Sequence, residues 1–331
     1  MIISRTPVRV SLFGGGSDYP AYYREHGGEV LGFAIDKYVW LTLRRLPPFF
    51  AHRHRIVHSE IELTKGFDDI HHPVVRELFK MENFGCGLEL HYDGDLPARS
   101  GVGSSSSFTV GLLNVLHAFK GHMATREALA RLAITLERDI LQENVGAQDQ
   151  VWAAYGGFNR IFFRADDTFD VSPIIIPNER RKELMRHMML FFTGISRFAS
   201  DIAGEQIRNM PKNQDGISTI RQMVPEALSI LQSPADRLNE IGWLLHDAWR
   251  LKRELSASVS NPEIDAIYDA ARSAGAIGGK LLGAGGGGFM LLFAPRGAQK
   301  AIREALPSLI EVPFSVAYEG SRIVMYESEG L

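Results

Sequence analysis

Apolar residues alternate with other types along Arg9–Phe13 and again along Tyr38–Leu43, the period-two pattern of strands. The first run stops at Gly14-Gly15-Gly16, followed by Ser17-Asp18-Tyr19, which predicts a turn of bare backbone after a strand. Further on, Phe108, Leu112, Val115, Leu116 and Phe119 recur at helical spacing. They predict an amphipathic helix whose N-terminus is the run Gly101-Val102-Gly103-Ser104-Ser105-Ser106-Ser107. Thr125 is placed to cap a second helix, with Glu127 in its first turn and an apolar stripe of Leu129, Leu132, Leu136 and Ile140. Glu137 falls late on that helix, beside the stripe. After Gly156-Gly157 the pattern turns strand-like over Asn159–Phe163. The proline-interrupted stretch from Pro173 to Pro177 marks the expected boundary between a domain over 1–178 and one over 179–331. The second half reads as mostly helical. Its clearest helices are Leu238–Leu255 and one opened by Asn261 and Pro262 that ends near Gly275, and a strand over Phe289–Phe293 follows a glycine run.

A chain of 331 residues is long for one core, which agrees with two domains and a cleft between them. Its 45% hydrophobic and 23% charged residues are the balance of a folded globular protein. A formal net charge of −3 provides no basic footprint for nucleic acid or an anionic membrane, so the expected partner is a small molecule and any phosphate must be held by local groups. A single cysteine, Cys86, excludes an internal disulfide, and no Cys/His spacing suggests structural zinc. His52, His54 and His58 lie among Arg53 and Arg55 without carboxylates at ligand spacing, which argues against a metal there. Arg5, Pro7 and Arg9 interrupt the N-terminal segment where a signal peptide needs an apolar core. Met188–Phe192 and Phe289–Ala294 are far shorter than the roughly 20 residues of a membrane helix, and a soluble, cytoplasmic protein is expected.

The segment Leu96 to Ser107 puts small residues where a helix begins, so unpaired N–H groups and the positive end of the helix dipole face outward. An anion is expected there, because four serines after two glycines exceed what capping requires. The run Gly283-Ala284-Gly285-Gly286-Gly287-Gly288 formally fits G-x-G-x-x-G. A dinucleotide fingerprint follows a strand and opens a helix, whereas this run reads as following a helical segment and opening a strand, which argues against a nicotinamide enzyme. No Walker A spacing can be drawn, and the H-R-D and D-F-G triplets of protein kinases are missing.

Three segments in order resemble the motifs of the GHMP kinases: Pro7–Tyr19, Pro97–Ser107 and Lys280–Phe289. Gly14-Gly15-Gly16-Ser17-Asp18 departs from the galactokinase pattern and is similar to heptose-phosphate and fucose kinases. Gly146-Ala147-Gln148-Asp149-Gln150, Gly156-Gly157-Phe158-Asn159, Thr193–Ala199 and Val259-Ser260-Asn261 resemble the bacterial heptose 7-phosphate kinases in particular. The resemblance implies an α+β fold of two domains, with a left-handed βαβ unit in the first and ATP bound between them. It implies phosphorylation of D-glycero-D-manno-heptose 7-phosphate at C1, for nucleotide-activated heptose and surface polysaccharide, with another sugar 1-kinase such as a fucokinase as the alternative.

By motif position, Gly101, Val102, Gly103, Ser104, Ser105 and Ser106 would cradle the nucleotide phosphates. Ser105 and Glu137 would hold magnesium, a hard cation that takes oxygen ligands. Glu137 also admits a plainer reading, a helix-surface charge beside Arg138. Asp149 matches the carboxylate set against the acceptor hydroxyl, and Arg9 the cation paired with it, unless Arg9 is a solvated strand charge. Gly15, Gly16, Ser17, Asp18, Lys280 and Gly285 would line the acceptor side. Arg197 is the candidate clamp for the phosphate already on the sugar, although Arg197, Asp201, Glu205 and Arg208 also suit an exposed ion-paired helix face. Arg9, Ser105, Glu137 and Asp149 together argue against a ligand sensor that keeps the fold without catalysis.

Overall fold

The computed structural model describes residues 1–195, 199–233 and 235–327. Its strands are β1 (Ile2–Phe13), β2 (Gly28–Arg45), β3 (His54–Val57), β4 (Ile61–Thr64), β5 (Leu88–Gly94), β6 (Phe158–Phe163), β7 (Phe169–Pro173), β8 (Met188–Phe192), β9 (Gly278–Leu281), β10 (Phe289–Phe293), β11 (Ile310–Glu311) and β12 (Arg322–Tyr326). They form two sheets, one ordered β12-β1-β2-β5-β3-β4 with β6 and β7 branching from β2, the other ordered β11-β8-β10-β9. The architecture is α+β in two domains.

β2 is the spine of the first sheet. Its Gly28–Phe33 half pairs with β6, its Val39–Arg45 half pairs with β5, and β1 runs antiparallel along nearly all of it. The alternation legible in the sequence covers only parts of β1 and β2, because β1 is buried at every position from Thr6 to Phe13, Arg9 and Ser11 between Val8, Val10 and Leu12 included. β12 pairs with β1, so the first sheet is completed by residues from near the C-terminus.

The helix Ser104–Phe119 crosses the first sheet, and nearly every side chain in it is buried. An amphipathic helix was expected, and small residues explain the difference. A Cβ on Gly111 would lie 2.8 Å from Thr6 Oγ1, and Ser4 Oγ donates to Gly111 O at 3.2 Å, so the helix and β1 approach closely. The helices Arg126–Ile134 and Gln148–Tyr155 pack on its other side. Thr125 caps the former by accepting from Ala128 N, and Asn261 caps Pro262–Ser273 by accepting from Glu263 N and Ile264 N. No helix among the described residues is long and apolar enough to cross a membrane.

Candidate active site

β1 carries Arg9 into the interior, where it is 5% exposed, and the first turn of the helix Gln148–Tyr155 brings Asp149 to it. The pairing is two-pronged: Nε donates to Asp149 Oδ1 at 2.7 Å and Nη2 to Oδ2 at 2.6 Å. Arg9 Nη1 donates to Gly101 O, and the Arg9 backbone N–H donates to Val102 O, which ties the glycine-serine segment to the same strand. Arg9 is therefore no solvated strand charge; its planar fork fixes the carboxylate's orientation. Gly103, at φ 77°, makes this contact possible, since a Cβ there would lie 3.2 Å from Asp149 Oδ2 and 3.3 Å from Arg9 Cγ.

The four serines divide in two. Ser107 Oγ donates to Pro7 O and Gly103 O, and Ser106 Oγ donates to Glu137 Oε2 at 2.9 Å, so both hydroxyls are turned inward. Ser104 and Ser105 stand at the helix N-terminus, where the first-turn N–H groups have no helical acceptors, and Ser105 is exposed. It is Ser106, one residue beyond Ser105, that meets Glu137.

Glu137 is 1% exposed, which removes the surface-charge reading. The α-helix ends at Ile134 and continues as a π-turn over Thr135–Ile140, in which Leu141 N–H donates to Leu136 O. Glu137 points inward within that turn, while Leu132, on the α-helix before it, and Ile140, at its end, are about 40% exposed, contrary to the expected stripe. Gln150 Nε2 donates to the same Oε2 at 2.5 Å, while Oε1 has no protein partner among the described residues. Burial pushes the Glu137 carboxyl up to about 7, against the hydrogen bonds from Ser106 and Gln150 that pull it down.

The third motif meets the second backbone to backbone. A Cβ on Gly283 would lie 2.5 Å from Gly101 Cα, one on Gly288 would lie 2.1 Å from Ser100 O, and Phe289 N–H donates to Ser100 O. Contrary to the sequence reading, the glycine run follows a strand: it is the connection of an antiparallel hairpin between β9 and β10. Gly278-Gly279 in β9 carries no strand propensity, which hid it. The run still opens no helix, so the argument against a dinucleotide site stands. Thr193 and Ile195 bond to Gly288, and Gly286 N–H donates to Val259 O. A Cβ on Gly285, at φ 129°, would lie 2.7 Å from Val259 Cα. The hairpin thus gathers the Thr193 and Val259 stretches. Arg197 lies outside the described residues.

Asp18, expected on the acceptor side, is 1% exposed and accepts from Gly16 N and Gln148 N. Burial, and then the charge of Asp149, raises its pKa against those amide bonds. A Cβ on Gly146 would lie 2.0 Å from Asp18 Oδ2, so the glycine is what lets Asp18 sit there. Ser17 Oγ is spent on the backbone carbonyls of Gly14 and Glu29. Lys280 Nζ donates to Leu12 O at 3.0 Å, and burial, reinforced by Arg9, lowers its pKa to about 8. Lys252 was not legible in the sequence, being one more charge on an amphipathic helix. Its ammonium donates to Leu281 O at 2.9 Å and to Gly283 O, clamping the glycine hairpin. Burial, then Lys280 and Arg9, lowers its pKa. Gln150 was equally invisible as a partner of Glu137.

The arrangement is a carboxylate with a fixed counter-cation, set beside a helix N-terminus and two interlocked glycine turns. Residues 70–157 match the family model for the GHMP kinases N terminal domain, and residues 228–311 match that for the GHMP kinases C terminal. A D-glycero-alpha-D-manno-heptose 7-phosphate kinase of Campylobacter jejuni is 31% identical over 306 residues, covering 88% of this chain and 89% of that protein. A bifunctional fucokinase/GDP-fucose pyrophosphorylase of Arabidopsis thaliana is 28% identical over 327 residues, which are 89% of this chain and 30% of that longer protein. Among solved structures, a D-glycero-D-manno-heptose 1-phosphate kinase from Bacteroides thetaiotaomicron shares the fold with a TM-score of 0.79 at 23% identity, over 99% of this chain and 100% of that one. The chain belongs to the GHMP kinase family and is a sugar kinase within it.

Proposed function

We propose that the protein transfers the terminal phosphoryl group of ATP to the C1 hydroxyl of D-glycero-D-manno-heptose 7-phosphate, giving the 1,7-bisphosphate and ADP. The observation that carries the reaction class is the two-pronged Arg9–Asp149 pair at the start of the Ser104–Phe119 helix. The acceptor oxygen forms its bond to the γ-phosphorus as the bond from that phosphorus to the ADP oxygen breaks, and the hydroxyl proton leaves along its hydrogen bond to Asp149. Arg9 balances negative charge on the transferring group. The backbone of Gly101, Val102, Gly103, Ser104, Ser105 and Ser106 holds the nucleotide phosphates. Glu137 and Ser105 are the residues that would hold magnesium, whose contribution is to neutralise phosphate charge. The buried Glu137 Oε1, without a protein partner among the described residues, suits a cation.

The sugar assignment is supported by full-length likeness to the Campylobacter enzyme. An acceptor that already bears phosphate is supported by a buried lysine beyond Arg9, Lys280. Gly15, Gly16, Asp18 and Gly285 line the acceptor side, and Arg197 is the proposed further clamp. The product would supply nucleotide-activated heptose for surface polysaccharide, in the cytoplasm where ATP is available. The test is a coupled ADP-release assay with magnesium and ATP over heptose 7-phosphate, mannose, fucose and galactose. Turnover of heptose 7-phosphate alone supports the assignment; turnover of fucose alone replaces it with a fucokinase and removes the second phosphate clamp.

A further inference from the structure

Glu137 is held from inside by Ser106 and Gln150, and the residue beside it in the π-turn, Arg138, is held from outside. Arg138 Nε and Nη2 donate to the two carboxylate oxygens of Asp139 at 2.7 and 3.0 Å, which fixes the plane of the guanidinium. Its Nη1 donates to Tyr23 Oη at 3.0 Å. Tyr23 Oη donates in turn to Asp167 Oδ1 at 2.8 Å, and Asp167 accepts a two-pronged pair from Arg24 at 3.1 and 2.8 Å. Tyr23 is 2% exposed and its ring stacks on Phe163 of β6 with centroids 5.7 Å apart, so the hydroxyl is a fixed point. Burial, and then the bond to Asp167, raises its pKa, so it keeps the proton that Asp167 accepts.

Three separate stretches of chain therefore meet at one hydroxyl: the helix Pro20–His26, the turn between β6 and β7, and the π-turn. A π-turn is rare, and its i→i+5 bonds compete with the regular α-helical ladder, so it persists where its surroundings impose it. Neighbouring side chains on a helical turn point in directions set by its geometry. Tying Arg138 outward to Tyr23 therefore sets the direction of Glu137. We propose that Arg138, anchored through Tyr23 to Asp167, is a positioning residue that holds the π-turn and keeps the Glu137 carboxylate turned into the site. Its consequence for magnesium rests on the reading that Glu137 holds that ion; its consequence for the burial of Glu137 does not.

The test uses Arg138→Met, which keeps a long side chain and removes its donors, and the milder Tyr23→Phe, which removes only the hydroxyl. Each is made alone and together with Glu137→Gln. The first readout needs no ligand. Burial of the Glu137 carboxyl makes Glu137→Gln more stabilising at high pH than at low, and Glu143, whose N–H donates to Glu137 O, is the other acid that bears on it. In a calorimetric melt, the gain from Glu137→Gln should be larger near about pH 8.5 than near about pH 5, and Arg138→Met should cut that difference by about half or more. Tyr23→Phe should act in the same direction and less, because Arg138 Nη1 already lies 3.6 Å from Asp167 Oδ1 and can close on it. The second readout is the factor by which magnesium tightens ATP in a binding titration. Arg138→Met should reduce it about ten- to hundredfold, the scale for residues that orient a metal ligand, without changing ATP affinity in the absence of magnesium. It should have no further effect where Glu137 is already glutamine. A pH-dependent difference left undiminished by Arg138→Met, even with the melting temperature lowered throughout, would mean a merely structural contact and would overturn the tether. So would a magnesium effect that is as large in the Glu137→Gln background. A diminished pH-dependent difference with magnesium unaffected upholds the tether and removes Glu137 from the metal site.

Discussion

Replacing Glu137 with glutamine tests the geometry of the site and its chemistry in one variant. Burial pushes this carboxyl from 4.5 up to about 7. Folding therefore favours the protonated form. The contribution to stability is intact below the unfolded value and falls as pH rises from 4.5 toward 7, beyond which the penalty is constant. A shift of this size corresponds to about 3 kcal/mol against the nucleotide-free protein at alkaline pH. Glutamine has the shape of the protonated acid and can still accept from Ser106 and Gln150, so it escapes that penalty. Glu137→Gln should match the wild type near about pH 5 and exceed it near about pH 8.5, by on the order of 5 °C in a calorimetric melt. Magnesium with ATP should reverse the order at the higher pH, raising the wild type and not the variant, while turnover by the variant collapses. A variant less stable than the wild type at the higher pH, or a difference that ignores pH, would refute the buried, uncompensated carboxylate.

Asp149→Asn keeps the shape but loses the charge opposite Arg9, and should cost about 10²–10⁴ in kcat with ATP affinity retained, as read by steady-state kinetics beside a nucleotide titration. Gly146→Ala would set a Cβ 2.0 Å from Asp18 Oδ2. On the proposed acceptor-side role of Asp18, it should raise the acceptor KM about tenfold or more and leave ATP affinity unchanged. Lys252→Met leaves the carbonyls of Leu281 and Gly283 without their donor, at about 1–3 kcal/mol, and hydrogen exchange should rise over 283–288 before any other segment.

Much of this architecture can be read from one-dimensional pattern, and the exceptions have physical causes. β10 matches its apolar run residue for residue, because it is buried at every position, and the helix Asn239–Glu254 falls one residue inside each expected end, because its buried residues recur at helical spacing. β9 escaped because two of its four residues are glycines, chosen for close approach to neighbouring backbone. The Ser104–Phe119 helix was recognised from its apolar residues, but its burial on the remaining faces depends on small side chains that carry no hydrophobic signal. Arg9, Asp149, Asp18 and Glu137 could be named from motif position. The contacts of Lys252 and Gln150 could not, since they span about 13 residues or more of sequence.

Glu137 illustrates why local pattern fails where the chemistry sits. A regular α-helix continued through residue 140 would have kept Ile140 on the buried face of Leu129 and Leu136 and left Glu137 at its edge. The π-turn leaves Ile140 exposed and turns a carboxylate into the interior instead. Both changes are unfavourable for the protein without ligand, and the raised pKa measures the second of them. The same segment closes on Ser106 and Gln150, one from each of the two helices that carry the glycine-serine turn and Asp149, so its distortion couples those helices through a single oxygen. Restoring regular α-helical geometry at 135–140 should therefore stabilise the nucleotide-free protein and uncouple the phosphate turn from Asp149, a gain in folding matched by a loss of turnover.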